Sequence, residues 1–399
     1  MELKALAASL GITEYPEGLE AAYKHTVNAK SKLADPRELK RLEAEYEIFG
    51  ELFPTVQEGV AELRANRALL QYTEAITEYI TPLSWHIART VPLPTPSEEI
   101  KGSAWTTITI LLALLPKSED LFAKRGLTHD EVKAIFQDLC SNLQTAHLQT
   151  GEYFLNKSLF GWCLLILSGE MTRHGTFFFH RAAFNSNAVI LKNKKNGELL
   201  PMMTKGCFHR SGELLGSAGH TDEADSFEAE YYEDEHIFRG HSVKNGLASP
   251  ILSTLKKEEW ECVLRTEDGV LSLHIPTNSN LSPEAIQASL EEGVARIKQC
   301  FPEFSPKAFY CHSWLLSTSL ESMIGEKSKI VQFGNRFLRF PVFSDGLEHM
   351  SFVFPGCKAG EWQTLPENSS LQRKLKECYL RGDSILESAG VIMDDPTLS

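Results

Sequence analysis

The sequence predicts an α+β protein with a helical N-terminal domain over residues 1–170 and a mixed α/β domain over residues 171–399. Two observations support this division. Apolar residues recur three or four positions apart through most of the first part, whereas short apolar runs of strand length begin near residue 175. Of the 399 residues, 42% are hydrophobic and 23% are charged, which is ordinary for a globular protein with a sizeable core.

Helix signals recur along the first part. The segment 37–51 carries apolar residues at helical spacing. Thr128 and Glu131 form a capping box, in which the two side chains satisfy backbone N–H groups at the start of a helix. Three prolines between residues 92 and 96 predict a rigid connector, because successive prolines cannot continue a helix. We expect a helical bundle whose role is structural or substrate-covering.

The first strand signals of the second part are short apolar runs at 176–179 and 188–191. The tetrapeptide Lys195-Asn196-Gly197-Glu198 follows the second run. Asn-Gly readily adopts the positive φ angles of a tight hairpin turn, so we expect antiparallel strands on either side of it.

The next stretch predicts a strand–helix–strand unit. Strands are expected at 260–265 and 270–275, joined by a tight turn at residues 268–269. Ser, Pro and Glu at 282–284 are a helix start, since serine caps the backbone and proline suits the first helical position. A further strand is expected at 308–316, parallel to 270–275 because a helix connects them. The two parallel strands are adjacent or separated by another strand.

Both parallel strands carry a histidine near their C-terminal ends, His274 and His312. Alternation along a strand puts His312 on one face with Tyr310 and Trp314. In open sheets of this kind, ligands bind off the C-terminal ends of strands, beside helix N-termini. We therefore expect both histidines and the helix start at Ser282 to lie at one site.

A single histidine is sufficient to act as a general base on an amine or a hydroxyl. His274 and His312 are therefore the candidate catalytic residues. The alternative is that both are ordinary polar residues at strand ends. Cys311 and Ser313 flank His312, but neighbours on a strand point to opposite faces, which disfavours their activation by that histidine. A hydrolase with Ser313 or Cys311 as its nucleophile is a third, less favoured reading.

The sequence lacks the spacings of common metal and nucleotide motifs. No two histidines are arranged as H-x-x-x-H or H-E-x-x-H. Neither G-x-x-x-x-G-K-[ST] nor a G-x-G-x-x-G after a strand is present. We expect no metal site and no P-loop or Rossmann chemistry.

Charge and cysteine use bear on the partners and the compartment. The formal net charge of −13 disfavours nucleic acid and anionic membranes as main partners. The eight cysteines are scattered with no C-x-x-C pair, as in proteins of a reducing compartment. The N-terminus has an acidic residue at position two and no long apolar core, unlike a secretory signal. We expect a cytoplasmic protein.

Several strings of the second half resemble one family. They are Leu273-His274-Ile275-Pro276, the segment 281–285, the run Cys311-His312-Ser313-Trp314-Leu315-Leu316 and the segment 333–337. The chain resembles two-domain bacterial acyltransferases with a helical N-terminal domain and a C-terminal domain similar to the GNAT superfamily of N-acetyltransferases. The resemblance covers most of the chain and is most specific over residues 271–337.

This resemblance implies transfer of an acyl group from an acyl-coenzyme A, such as acetyl-CoA, to an amine or a hydroxyl of a small molecule. In the superfamily, the coenzyme pyrophosphate lies where a strand leads into a helix. The matching positions here are Thr277, Asn278, Ser279, Asn280 and Ser282. A helix N-terminus offers unpaired backbone donors to an anion, which agrees with this placement.

The resemblance also suggests substrate contacts. Trp314 and Ser313 are candidates for the wall of the substrate pocket, and Arg336 for a contact with a carboxylate or phosphate. A core position for Trp314 and a surface ion pair for Arg336 are the alternatives. The glycine-rich R/Q-x-x-G-x-G/A signature of the superfamily is absent from 277–282. The alternative function is therefore a non-catalytic ligand- or partner-binding protein on the same fold.

Overall fold

The helix signals and the strand signals of the sequence correspond to two separate parts of the structure. The computed structural model describes residues 2–27, 33, 35–276 and 279–398. The chain divides into two compact units, Met1–Thr172 and Arg173–Ser399. The first is helical and the second is built on β-sheets with helices, so the predicted α+β class is confirmed.

The first unit contains nine α-helices among its described residues, and its capping box forms as predicted. The Glu131 N–H donates to Thr128 Oγ1 at 3.3 Å, and the Thr128 N–H donates to Glu131 Oε2 at 2.7 Å. The helices are α1 Leu3–Ser9, α2 Leu19–Thr26, α3 Pro36–Tyr46, α4 Phe53–Ala65, α5 Arg67–Ile80, α6 Trp85–Thr90, α7 Thr106–Lys124, α8 His129–Thr150 and α9 Lys157–Leu167.

A cavity of about 570 Å³ lies among helices α3, α4, α5 and α7 of this unit. Its walls are mainly apolar, and Asp35, Glu38, Glu74 and Glu78 add carboxylates to its lining. Each of these carboxylates has a partner: Asp35 accepts from the Arg37 N–H, Glu38 pairs with Arg41, Glu78 lies 3.8 Å from His25, and Glu74 is also engaged. The helical unit is thus hollow in part, with its acidic groups engaged.

Fourteen strands and five further α-helices follow from residue 171 onwards among the described residues. The strands are β1 Met171–His174, β2 Phe177–Ala183, β3 Ala188–Asn193, β4 Leu199–Met203, β5 Cys207–His209, β6 Ser226–Glu228, β7 Tyr231–Glu233, β8 Ile237–Lys244, β9 Leu247–Lys256, β10 Trp260–Leu264, β11 Gly269–His274, β12 Ala308–Ser313, β13 Leu338–Pro341 and β14 Ser388–Ile392. The helices are α10 Pro283–Cys300, α11 Leu320–Ile324, α12 Lys329–Gly334, α13 Met350–Val353 and α14 Ser370–Arg381.

Two six-stranded sheets organise this unit. The first has the strand order β1-β2-β11-β12-β14-β13, and its central pair, β11 with β12, is parallel. The second has the order β10-β3-β4-β8-β7, with β9 paired to β8. The predicted hairpin forms between β3 and β4, where Leu191 is paired with Leu200. The strand–helix–strand unit β11-α10-β12 is also present, and its two strands are adjacent.

Helix α10 begins where the sequence predicted. The Ser282 side chain accepts from the Ala285 N–H at 3.3 Å, and Pro283 is the first helical residue. The apolar stripe of α10 packs in one core with alternate residues of the central strands. Leu271, Leu273 and Phe309 belong to that core, so they point to the α10 face of the sheet.

The expected tight turn after β10 forms, but the two strands that it joins do not pair. The Arg265 N–H donates to Asp268 Oδ2 at 2.8 Å, which closes the turn. β10 nevertheless pairs with β3 in the second sheet, whereas β11 pairs with β2 and β12 in the first. The turn therefore carries the chain from one sheet to the other.

Strand β12 is shorter than predicted. It ends at Ser313, whose side chain accepts from the Leu315 N–H at 3.2 Å and begins a 3₁₀ turn over Trp314–Leu316. Alternation stops there, so the prediction that Trp314 shares a face with His312 was wrong. Trp314 packs instead in the α10-side core with Cys311.

Candidate functional site

The two central parallel strands separate towards their C-terminal ends. β11 and β12 are paired at Val270–Ala308, Leu271–Phe309 and Ser272–Tyr310, and the pairing ends there. Both strands continue, but each keeps only its outer neighbour. His274 lies opposite Phe178 of β2, and Ser313 lies opposite Ser388 of β14. We call the space between β11 and β12 beyond the Ser272–Tyr310 pair the strand gap.

A strand gap of this kind interrupts the pairing of two strands at the centre of a sheet. In a paired parallel strand, the N–H and C=O groups that point to the neighbour are hydrogen-bonded to it. Beyond Ser272 and Tyr310, the ladder between the two strands does not continue. Backbone N–H groups fixed by a rigid sheet are suited to bind a carbonyl oxygen that gains negative charge.

His274 and His312 stand on either side of the strand gap. Ser272 and Tyr310 are paired, so a step of two residues along each strand brings the histidines to equivalent positions. Alternation also puts both on the face of the sheet opposite α10. Tyr310 packs against the core on that opposite face, which agrees with this orientation.

His274 is half-buried and close to a second histidine. Burial lowers the pKa of His274 to about 4, and the nearby His180 acts in the same direction. The two rings stack with their centroids 5.8 Å apart. His180 lies on β2 opposite Ser272, so it joins the same face of the sheet. Sequence reasoning missed His180, because nothing local indicates that β2 lies beside β11.

His312 is held by a carboxylate from a distant part of the chain. Its Nε2 lies 3.0 Å from Glu387 Oε2. The His312 side chain is 42% exposed and that of Glu387 only 13%, so the imidazole is accessible while its partner is largely shielded. Glu387 directly precedes β14, which pairs with β12. Sequence reasoning missed Glu387, since the pairing depends on the sheet order.

A second carboxylate, that of Glu348, lies at the C-terminal end of β12. Glu348 accepts from the Trp314 N–H at 3.0 Å. Burial raises the pKa of Glu348, and the charge of Glu387 raises it further. The adjacent His349 is fully buried, and its Nε2 is hydrogen-bonded to the Tyr379 hydroxyl. Burial lowers the pKa of His349 to about 4, so this ring is neutral at neutral pH.

The two candidate nucleophiles are placed in the interior. Cys311 is 0% exposed, and burial raises the pKa of its thiol, which keeps it in the unreactive protonated form. Ser313 is 8% exposed, and its hydroxyl oxygen caps the turn at Leu315. The geometry therefore supports neither residue as the nucleophile of a hydrolase.

Residues 197–392, which include both histidines and the strand gap, match the sequence profile of a known family. The chain carries a GNAT-like C-terminal domain. Solved structures agree with this fold. An acyltransferase in complex with decanoyl-CoA has a TM-score of 0.65 at 16% identity, over 98% of this chain and 99% of that one.

Two related structures give the same result. A mutant acyltransferase in complex with octanoyl-CoA has a TM-score of 0.66 at 16% identity. An acyltransferase in complex with decanoyl-CoA and teicoplanin has a TM-score of 0.64 at 17% identity. In both cases 98% of this chain and 99% of the other are covered. At this level of identity the similarity establishes the fold. No curated protein shows a significant match to the sequence.

Within the GNAT-like domain, the predicted pyrophosphate loop is described in part. Thr277 and Asn278 lie outside the described residues. The Ser279 hydroxyl is within 3.0 Å of the Thr176 carbonyl and 2.7 Å of the Pro276 carbonyl. The Asn280 side chain accepts from the Ser282 N–H at 3.1 Å. These contacts hold the loop against the β1–β2 turn and occupy some of the donors that were predicted to bind an anion.

Arg336 of the GNAT-like domain makes internal contacts. Its Nη2 donates to Gln287 Oε1 at 2.9 Å and lies 3.5 Å from Asp395 Oδ2. Asp395 is 4% exposed, so this is a shielded ion pair that fastens α10 to the C-terminal segment. The geometry agrees with the ion-pair alternative for Arg336 more than with a substrate contact.

Two kinds of feature are absent from the described residues. Among them, no helix is long and apolar enough to cross a membrane. In the same part of the chain, no group of three or more His, Cys, Asp or Glu side chains is arranged to hold a metal ion.

Proposed function

We propose that the protein is an acyl-CoA-dependent acyltransferase that moves an acyl group to an amine or a hydroxyl of a small molecule. The observation that carries this proposal is the strand gap between β11 and β12, flanked by His274 and His312 inside a GNAT-like domain. The related solved structures support it, because they are acyltransferases in complex with acyl-CoA or CoA and, in two cases, with teicoplanin compounds.

In the proposed reaction, an acyl-CoA supplies the acyl group as an activated thioester. Backbone N–H groups in the strand gap donate to the carbonyl oxygen as negative charge develops there. A histidine accepts a proton from the attacking nitrogen or oxygen of the acceptor. A new C–N or C–O bond forms, the C–S bond breaks, and the proton is passed on to the leaving sulfur or to solvent.

Of the two histidines, we assign the proton transfer to His312 and a pocket-lining role to His274. His312 is accessible and has a carboxylate 3.0 Å from Nε2, which stabilises the imidazolium formed during proton transfer. The burial that lowers the pKa of His274 to about 4 makes that imidazole a weak base. His274 remains suited to accept a hydrogen bond from the substrate.

The remaining assignments follow from the same proposal. We place the coenzyme pyrophosphate at Thr277, Asn278, Ser279, Asn280 and Ser282, beside the N-terminus of α10. Ser313 and Trp314 line the base of the strand gap by position, while Arg336 acts indirectly by anchoring α10.

We place the protein in the cytoplasm on account of its eight cysteines, none of which forms a disulfide. Residues 1–170 form the helical domain in this account.

The proposal is tested by incubating the protein with acetyl-, octanoyl- and decanoyl-CoA and a panel of amine and hydroxyl acceptors, and by measuring the released CoA thiol. We expect acceptor-dependent thiol release and an acylated product of the matching mass. Thermal melting measures binding separately, because ligand at 100 times its Kd adds about 2.7 kcal/mol to the free energy of unfolding. The proposal is wrong if no acyl-CoA raises the melting temperature and none is consumed.

One observation favours the alternative of a binding protein. The Ser279 hydroxyl and the Ser282 N–H, two polar groups of the predicted pyrophosphate loop, are already engaged inside the protein. This alternative predicts that acyl-CoA raises the melting temperature of the parent protein. It also predicts that no acceptor causes release of the CoA thiol.

A further inference from the structure

A chain of hydrogen bonds runs from the accessible ring of His312 into the interior of the GNAT-like domain. One carboxylate oxygen of Glu387 lies 3.0 Å from His312 Nε2. The other accepts from the Ser344 hydroxyl at 3.3 Å. Ser344 is 1% exposed, so the far end of the chain is buried.

Ser344 is itself fixed by residues 217–218, by Gly346 of its own turn and by the backbone of Glu387. Its backbone N–H donates to Ser217 Oγ at 3.2 Å, and its carbonyl accepts from the Ala218 N–H at 3.0 Å. Its hydroxyl oxygen also accepts from the Gly346 N–H at 3.1 Å and from the Glu387 N–H at 3.0 Å. Ser344 therefore holds both the backbone and the carboxylate of Glu387 in place.

We infer that Glu387 and Ser344 are positioning residues for the reaction, which fix the orientation and the tautomer of the His312 ring. This inference rests on the proposed function, in which His312 accepts the proton. With a carboxylate at Nε2, that nitrogen carries hydrogen and donates to Glu387, because a carboxylate only accepts. Nδ1 is then the nitrogen that takes the proton from the acceptor.

The charges around His312 agree with this assignment. The imidazolium that forms during proton transfer carries a positive charge, which the Glu387 carboxylate stabilises at close range. Glu348, the other carboxyl group near the strand end, is engaged by the Trp314 N–H and lies close enough to interact with both Glu387 and His312. Glu387 is thus the carboxylate in direct contact with the ring.

Three variants and a matched control test the inference. Glu387→Gln replaces the carboxylate by an amide that is able to donate to Nε2, which favours the opposite tautomer. Ser344→Ala removes the hydroxyl that holds Glu387. Glu326→Gln makes the same change at an exposed acid outside this hydrogen-bond chain and serves as the control. His312→Gln removes the base itself. Thermal melting confirms that each variant is folded.

The first readout is the tautomer of His312, measured by ¹⁵N NMR on histidine-labelled protein at a pH where the ring is neutral. The signal of His312 is assigned from its loss in His312→Gln. We expect Nε2–H in the parent protein and in Glu326→Gln, and a shift towards Nδ1–H in Glu387→Gln. An unchanged tautomer in Glu387→Gln overturns the inference, whether or not the protein proves to be an acyltransferase.

The second readout is steady-state kinetics with an acyl-CoA and an accepted acceptor. A positioning role predicts that kcat falls at least about tenfold in Glu387→Gln, and less in Ser344→Ala, while KM for acyl-CoA stays within about twofold. Parent-like kcat in Glu387→Gln, together with a large loss in His312→Gln, overturns the inference and leaves the proposed function standing. Absence of turnover in the parent protein overturns the proposed function instead.

Discussion

Ser272 and Tyr310 form the last pair between β11 and β12, two residues short of His274 and His312 on their respective strands. Each strand continues beyond this pair with only its outer neighbour, β2 for β11 and β14 for β12. The pairing between the two central strands therefore ends, while their pairing with the outer strands continues. This arrangement brings backbone donors, an accessible imidazole and a helix N-terminus to one end of the GNAT-like domain.

Cys311 is expected to be inert in the folded protein. It is fully buried and its thiol pKa is raised by burial, so the reactive thiolate is scarce at neutral pH. Iodoacetamide should modify the exposed Cys207 first and leave Cys311 unmodified, as measured by peptide mass spectrometry. Cys311→Ala should retain turnover. Loss of turnover in a folded Cys311→Ala variant would restore the nucleophile interpretation.

Variants of Ser282 separate its role as a helix cap from a role beside an anion. Ser282→Ala should lower the free energy of unfolding by about 1 kcal/mol, because the Ala285 N–H loses its partner. Ser282→Asn and Ser282→Asp should both keep the cap and the stability. If the pyrophosphate lies here, the added charge of Ser282→Asp should raise KM for acyl-CoA, and Ser282→Asn should not. Equal KM values for the two variants would place the coenzyme elsewhere.

His349 should make the protein less stable in mild acid. Its folded-state pKa is lowered to about 4 by burial, against the action of Glu387 and Asp345. Between the ordinary pKa and this value the unfolded chain binds more protons, so stability is present at neutral pH and is lost as the pH falls.

Replacing His349 tests this assignment. From about pH 7 to pH 5, His349→Phe should lose about 1 to 2 kcal/mol less unfolding free energy than the parent protein. The measurement is urea unfolding at both pH values. His236→Phe, which changes an exposed histidine of the same unit, should leave the pH dependence unaltered. An identical pH dependence in parent and His349→Phe would show that His349 titrates normally.

Gly293 is expected to be required by the contact between α10 and β2. A Cβ atom at this position would lie 2.5 Å from Cζ of Phe179, whose ring is fully buried. Gly293→Ala should therefore cost about 1 to 3 kcal/mol of unfolding free energy. Gly161→Ala is the matched control, since a Cβ there meets nothing within 4 Å inside helix α9. Helix propensity predicts a gain of up to about 1 kcal/mol for that control. A neutral Gly293→Ala would mean that α10 moves away from the sheet.

Sequence reasoning predicted the features that depend on local signals. The capping serine, the proline at the first helical position and the apolar spacing predicted α10, and the Asn-Gly turn predicted the β3–β4 hairpin. The connecting helix predicted that β11 and β12 run parallel. The α+β class follows from the same signals summed over the chain.

What sequence reasoning missed depends on contacts between distant segments. The turn at Asp268 is a correctly predicted local feature, but no local signal indicates that β10 pairs with β3 in the second sheet. Glu387 reaches His312 only because β14 lies beside β12, and His180 reaches His274 only because β2 lies beside β11. The single serine cap at Ser313 ended β12 early and moved Trp314 to the other face.

The most direct test of the central claim is a crystal structure of the protein with decanoyl-CoA bound. The account predicts that the thioester carbonyl oxygen lies in the strand gap, about 2.7 to 3.2 Å from a backbone N–H of β12 between Tyr310 and Ser313. It also predicts that the reacting carbon is within reach of His312. A thioester bound away from the gap, or a gap that is closed by renewed pairing of β11 with β12, would contradict the account.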